Sequence, residues 1–322
     1  MKKTFAGIMA VALAGATFAL TASPAQASGP AFSCDAVTYQ VIGSQLKIGS
    51  VDLSTTPGTL TYTNVGATYS ENYNGGGYNI VDNFIYAVSA SNQLLRIASD
   101  GSVESLGVPT GLPSDGFLAG DVTPDGQRLV VVDIADKSVW SIDLTAVSAI
   151  NIGSLPASPS QIDMGDFAIV DSGSAVTAYG LDVATGALVS FDPTVNPIVV
   201  NVNSSVAIGA TSAKGAVWTD STGNLTTFVN ATGEVYSITD PSSASPVVIL
   251  VANGTQSSQN DGMKCALSAS AFEPATAASE SALPNTGVDT AGTVSLAFTL
   301  LLAGMAGLVG VLARRRSLST RA

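Results

Sequence analysis

The chain has 322 residues, of which only 11% are charged, and a formal net charge of −12. It contains no histidine, which excludes histidine-based triads, imidazole zinc sites and the commonest general base. The acidic balance argues against binding nucleic acid through phosphate contacts, and the length leaves room for a substantial core.

At the N-terminus, Met1-Lys2-Lys3 is followed by the apolar run TFAGIMAVALAGATFAL and the small-residue site SPAQA. This order predicts a secretory signal peptide over 1–27, cleaved between Ala27 and Ser28, and too short to be a lasting membrane span. Residues 28–286 then carry 6 Lys/Arg against 23 Asp/Glu, a charge of about −17 on the exported portion. A domain so charged stays soluble and repels anionic polymers.

Three β-rich runs come next, AVTYQVIG, SQLKIGSVDL and GTLTYTNVG. After them a phrase recurs that opens with Gly and reaches Asp five or six residues later: GYNIVD from Gly77, GDVTPD from Gly120, GDFAIVD from Gly165 and GAVWTD from Gly215, with offsets of 43, 45 and 50 residues. Each is followed by three more strand-like runs, for example QRLVVVD, SVWSIDL and AINIG in the second unit. Four short strands per unit of this length is the period of a β-propeller blade. A last opener, NDGMKCA from Asn260, has nothing after it. Joined to the three N-terminal runs it completes a fifth blade, which predicts an all-β, five-bladed propeller over 28–267 closed by both chain ends. Closing the ring in this way leaves no exposed sheet edge. A pair of immunoglobulin-like sandwiches is the competing fold; it explains neither the regular spacing nor the split unit.

The cysteines fit the same arrangement. Cys34 precedes the N-terminal runs and Cys265 ends the orphan opener, so an exported chain with these two cysteines predicts one disulfide. The phrase GYNIVDNFIYAVSASNQLLRIASDGSVESLG, followed by GDV and a closing NDGMKC, resembles an uncharacterised family of secreted bacterial propeller-like domains, which implies no particular activity.

Candidate chemistry is sparse. Asp82, Asp121, Asp125, Asp166, Asp171 and Asp220 fall in or beside the predicted innermost strands. Asp121 and Asp166, each directly after an opener glycine, are the candidate axial carboxylates for a glycan hydrolase, which needs an acid and a second carboxylate at defined separation. The alternative is that repeated Asp residues cap turns by accepting nearby amides. The turns DIADKS (133–138) and DPTVN (192–196) are oxygen-rich and leave room for calcium, without matching a twelve-residue calcium loop; no other cofactor is indicated. Lys47, Lys137, Lys214 and Lys264 are the exported lysines, and none is singled out for an isopeptide cross-link. Trp140, Trp218 and the tyrosines read as blade core.

Residues 268–282 are Ala/Ser/Glu-rich and read as a linker. Leu283-Pro284-Asn285-Thr286-Gly287 follows, then 23 uncharged residues over 291–313, then a basic tail over 314–322 with Arg314, Arg315, Arg316 and Arg321. The apolar run is long enough to cross a bilayer, with its basic end in the cytoplasm. The three-part order resembles the sorting signal of Gram-positive cell-wall proteins. That resemblance implies a sortase that cleaves between Thr286 and Gly287, and a peptidoglycan precursor amine that takes up Thr286. The membrane would then hold the chain only before cleavage. The expectation is a wall-anchored surface protein without enzymatic activity, its propeller binding an extracellular protein or glycan. The alternatives are a secreted glycan-active hydrolase and a wall structure without a specific ligand.

Overall fold

The computed structural model describes residues 29–157 and 161–273. The predicted signal peptide with its expected Ala27–Ser28 cleavage site, the predicted sorting motif Leu283–Gly287, the apolar run 291–313 and the basic tail lie outside the described residues. Among the described residues no helix is long and apolar enough to cross a membrane.

The described chain is a succession of short strands. The N-terminal set is β1 (Thr38–Ile42), β2 (Gln45–Asp52) and β3 (Gly58–Asn64). Then come β4 (Tyr73–Tyr78), β5 (Ile85–Ser89), β6 (Leu94–Ile97) and β7 (Val103–Gly107). The next group is β8 (Phe117–Val122), β9 (Arg128–Asp133), β10 (Ser138–Asp143) and β11 (Ser148–Ser154). It is followed by β12 (Met164–Asp171), β13 (Val176–Asp182), β14 (Leu188–Phe191) and β15 (Val200–Asn203). The last are β16 (Lys214–Thr219), β17 (Leu225–Val229), β18 (Glu234–Thr239), β19 (Val247–Asn253) and β20 (Asn260–Met263). These segments are rich in Val, Ile, Tyr, Phe and Thr, which suit a pleated, packed surface. The turns between them hold Gly, Asn and Asp. In the β8–β9 turn, for instance, the Gly126 N–H closes on the Thr123 carbonyl at 2.8 Å, and its φ of 70° favours glycine.

Strands β4–β7, β8–β11 and β12–β15 form separate four-stranded antiparallel sheets, each in chain order. A fourth sheet runs β16-β17-β18-β19-β3-β2-β1-β20. Its middle is thin: β19 meets β3 in parallel at only Ala252–Gly58 and Asn253–Thr59. It is thus two antiparallel meanders touching along their outer edges. In the second, the C-terminal strand β20 pairs with β1 from Tyr39–Met263 to Ile42–Asn260. Chain end and chain start therefore share one four-stranded unit, as the orphan opener implies. The first strands of the groups are neighbours in a closed circuit: β4 beside β8, β8 beside β12, β12 beside β16, β16 beside β20, and β20 beside β4. This is a propeller-like architecture of four-stranded sheets.

Apolar layers fill the spaces between neighbouring sheets. Val130, Val132, Phe167 and Phe191 pack between the second and third groups, and Tyr179, Leu181, Val217 and Leu225 between the third and fourth. Trp218, Phe228 and Leu60 fill the seam where the fourth group meets the shared unit. On the other side of that unit Val41, Ile85, Met263 and Cys265 form the layer against β4–β7. Cys34 and Cys265 are disulfide-bonded across 231 residues, with Cα atoms 5.3 Å apart. The bond fastens the N-terminal segment to the end of β20, within the unit that both ends build.

Two boundaries differ from those the sequence predicts. Residues 268–273, placed in the linker by composition, pack on the domain: Phe272 is 3% exposed and its ring lies 5.7 Å from that of Trp218. The Ala/Ser background hid one large apolar anchor. The sequence also opens the first unit at Gly77, whereas β4 runs from Tyr73 to Tyr78, so the strand starts earlier and Asp82 lies beyond its end.

Candidate functional site

The inner strands are not regular. The pairing of β4, β8, β12 and β16 with the strand that follows each shifts register, at Asn74/Gly77, Phe117/Ala119, Met164/Phe167 and Lys214/Ala216. Such irregularities bend a strand and re-aim its side chains. Here they accompany an unusually close approach of backbones around the axis. A Cβ on Gly120 would stand 2.5 Å from the Gly75 carbonyl oxygen, and one on Gly77 would stand 2.3 Å from the Val122 nitrogen. The glycine run of β4 and the opener glycine of β8 are there because no side chain fits.

Asp121 and Asp166, the candidate axial carboxylates, do lie on inner strands, and the structure adds Asp261 of β20. All three side chains reach to other inner strands. Asp121 Oδ2 accepts the Ile169 N–H of β12 at 2.7 Å, and Oδ1 accepts its neighbour Val122 N–H at 2.8 Å. Asp166 Oδ2 accepts the Val217 N–H of β16 at 2.6 Å and the Gly262 N–H of β20 at 3.0 Å, while Oδ1 takes Phe167 N–H at 2.7 Å. Asp261 Oδ2 accepts the Gly76 N–H of β4. Each carboxyl thus bridges one group of strands to another at the centre of the circuit.

Asp166 and Asp261 are wholly buried and hydrogen-bonded to each other. Burial pushes both carboxyls up, Asp261 to about 8 and Asp166 well above the ordinary carboxyl range, with the charge of Asp261 adding to the rise at Asp166. The pair therefore keeps at least one proton at neutral pH. Its seat follows from the donors: Asp166 accepts three N–H groups, which favour its charged form, whereas Asp261 Oδ1 faces no other donor. A proton on Asp261 Oδ1, donated to Asp166, satisfies both. Asp121 is partly reached by solvent through the cavity described below, yet burial still pushes its carboxyl up to about 7.

The remaining aspartates cap turns. Asp82 Oδ1 accepts Phe84 N–H, and its Oδ2 takes the Tyr86 hydroxyl at 2.6 Å. Asp125 accepts Gln127 N–H, Asp171 accepts Gly173 N–H, and Asp220 accepts Thr222 and Asn224 N–H. The proposed calcium turns are built alike: Asp133 accepts Ala135 N–H and Asp192 accepts Thr194 N–H. Among the described residues no three His, Cys, Asp or Glu side chains cluster as a metal ion requires.

One end of the inner strands opens into a cavity of about 970 Å³. The turns after β8, β12 and β16, the β18–β19 turn and the segment after β20 form its wall, and Asp121 is part of its lining. Asp171, Asp220 and Asp240 are on the wall with Lys264. Lys264 is buried and held by three acceptors, the Cys265 and Ser268 carbonyls and the Ser268 hydroxyl, while desolvation brings its ammonium down to about 8. Sequence reasoning missed Asp261 and this cavity. The signal for Asp261 was available: its opener reads Asn-Asp-Gly, with the carboxyl before the glycine instead of after it.

Similar folds occur among solved structures. A nidogen/laminin complex matches with a TM-score of 0.42 and 11% identity, over 71% of this chain and 98% of that one. An auxiliary nutrient binding protein from Bacteroides thetaiotaomicron matches at 0.42 and 10%, over 68% and 62%. The Cps50 (Swd1) β-propeller domain from Myceliophteria thermophila matches at 0.38 and 11%, over 68% and 87%. At these values they carry no inference about activity or ligand. No curated protein matches this chain. Residues 39–267, which hold every inner strand, fit the model of one family, and the chain belongs to it: the repeat of unknown function DUF6923.

Proposed function

We propose that the chain is an exported surface protein of the Gram-positive type, joined to peptidoglycan through Thr286 by a sortase acting on Leu283–Gly287. Its ectodomain is a five-bladed propeller, each blade opening with one of the inner strands β4, β8, β12, β16 and β20. It acts without catalysis, by binding an extracellular protein or glycan at the open cavity. The disulfide supports export, since such bonds persist in oxidising surroundings.

The observation that carries the non-enzymatic reading is the saturation of the axial carboxyls. A glycosidase needs two carboxyl groups flanking a bond held in a cleft. Here Asp166 and Asp261 are sealed and bonded to one another, and both oxygens of Asp121 already accept amide N–H groups. One observation favours the hydrolase: Asp121 lines the cavity and its raised carboxyl resembles a general acid. A turnover assay decides between them. The full-length chain in detergent is incubated with peptidoglycan and a panel of oligosaccharides, and new reducing ends are measured. None is the expected result; turnover that disappears in Asp121→Asn replaces the binding protein with the enzyme.

A further inference from the structure

We infer that the joint closing the circuit, between the β16–β19 meander and the unit shared by both chain ends, is a binding site for buried water. The water bridges Gln40 and Asn260 of the shared unit to Asn230 and Ser257 across from them. This site is separate from the cavity and does not depend on what the cavity binds.

Strand alternation decides which side chains enter the joint. A Cβ on Gly262 of β20 would meet the Ala216 methyl at 2.9 Å and the Trp218 indole nitrogen at 3.0 Å, so this face of β20 looks onto β16. Asn260, two residues away, shares the face, and so does Gln40 of β1, which stands opposite Gly262. Thr38 follows two residues from Gln40. Tyr62 of β3 is reached across Gly49, whose Cβ would touch both Thr38 Oγ1 and the Tyr62 ring. From the other side comes Asn230. A Cβ on Gly215 would stand against Asn260 Oδ1 and 2.5–2.6 Å from the Asn230 amide atoms, so the two amides meet over that opener glycine. Beside them the Ser257 N–H donates to the Asn230 carbonyl at 3.2 Å.

These six residues leave eight buried side-chain atoms without a hydrogen bond from the protein: Thr38 Oγ1, both amide atoms of Gln40 and of Asn260, the Tyr62 hydroxyl oxygen, Asn230 Oδ1 and Ser257 Oγ. Gln40 is 0% exposed and Asn260 2%. Leaving so many polar atoms dry in one layer is costly, and native proteins rarely do it. The ligand must both donate and accept, because each orphaned amide of Gln40 and Asn260 presents a C=O and an NH₂. A metal cation answers the oxygens alone and is repelled by the amide nitrogens, and none of the six side chains is charged. A sugar hydroxyl does both, but these atoms lie in the packed joint with Leu60, Trp218 and Phe228, and none of the six residues lines the open cavity. Water fits. At about three hydrogen bonds per molecule, eight atoms correspond to about three waters.

The test uses the full-length chain in detergent. Oxygen-17 magnetic relaxation dispersion counts the water molecules held for longer than the protein tumbles, in wild type and in the double variant Gln40→Met with Asn260→Leu. The variant approximates the original shapes and removes four of the eight atoms. It is expected to hold at least about one such water fewer; should it not fold, Gln40→Met alone carries the same comparison. Thr38→Val, a milder change of the same shape, probes the joint by urea unfolding. It removes a hydroxyl that water bonds, so the unfolding equilibrium constant should rise about threefold or more. An unchanged number of long-lived waters overturns the inference. So does a Thr38→Val chain more stable than wild type, since a hydroxyl buried dry is better removed. A cation in the place of water would show as stabilisation by added potassium or calcium that the double variant loses, and that result overturns it too.

Discussion

The proton held between Asp166 and Asp261 makes a sharp prediction about Asp261→Asn. In the folded chain the Asp261 carboxyl is pushed from the ordinary 3.8 to about 8. The unfolded chain releases this proton above about pH 4, while the folded one keeps it to about pH 8. Stability is therefore fully present below pH 4 and is lost as pH rises across that window, by about 1.4 kcal/mol per pH unit for one retained proton. At pH 7 the loss reaches about 4 kcal/mol. An amide at position 261 removes the need for the proton and keeps both hydrogen bonds. Its oxygen accepts Gly76 N–H, and its NH₂ donates to Asp166, where the protonated oxygen stood. Asp261→Asn should therefore gain on the order of 2–4 kcal/mol at pH 7 and little at pH 4, with a shallower slope between. Asp166 and Asp121, also raised, retain part of the slope. Asp261→Ala, which strands the Gly76 N–H, should instead cost about 1–3 kcal/mol. Urea denaturation from pH 4 to 8 measures all three chains. If Asp261→Asn is less stable than wild type at pH 8, or keeps the full slope, the carboxyl pair is not a proton-sharing bridge.

Two further outcomes follow from the packing. Gly120→Ala places a methyl 2.5–2.9 Å from Gly75 backbone atoms, so β4 and β8 must separate; urea denaturation should show a loss of more than about 2 kcal/mol, whereas Gly173→Ala, with nothing nearby but a φ of +75°, should lose only the roughly 1–2 kcal/mol of the left-handed conformation. Replacing Cys34 and Cys265 by serine removes a 231-residue closure and should cost up to about 5 kcal/mol on the loop-entropy account, with an unchanged far-ultraviolet circular dichroism spectrum at low temperature. A loss under about 1 kcal/mol would mean that β20 is held to β1 by pairing and packing alone.

Much of the architecture was legible because it repeats. The openers at Gly120, Gly165 and Gly215 each fall inside an inner strand, and the strand-like runs after them match β9–β11, β13–β15 and β17–β19. The missing first strand of the N-terminal unit and the orphan NDGMKC pointed to each other, and β20 does pair with β1. The site was less legible, for physical reasons. A carboxyl that bridges two backbones and one that cleaves a sugar look alike in sequence, since both are Asp beside Gly on a strand. What separates them is which amides face them, and those belong to residues about 50 to 185 positions away, such as Ile169, Val217 and Gly76. The cavity is harder still, because its wall comes from turns of several units that share no motif. Phe272 escaped notice for the opposite reason: one aromatic in a run of Ala and Ser carries no period.

The most direct test of the account is made on the cell wall. The native bacterium is grown with the wild-type chain or with Thr286→Ala, its sacculi are boiled in detergent, and the ectodomain is assayed before and after muramidase digestion. The account predicts that wild type stays with the sacculi until the glycan is cut, while Thr286→Ala is washed into the detergent fraction. Equal retention of the two chains would contradict it.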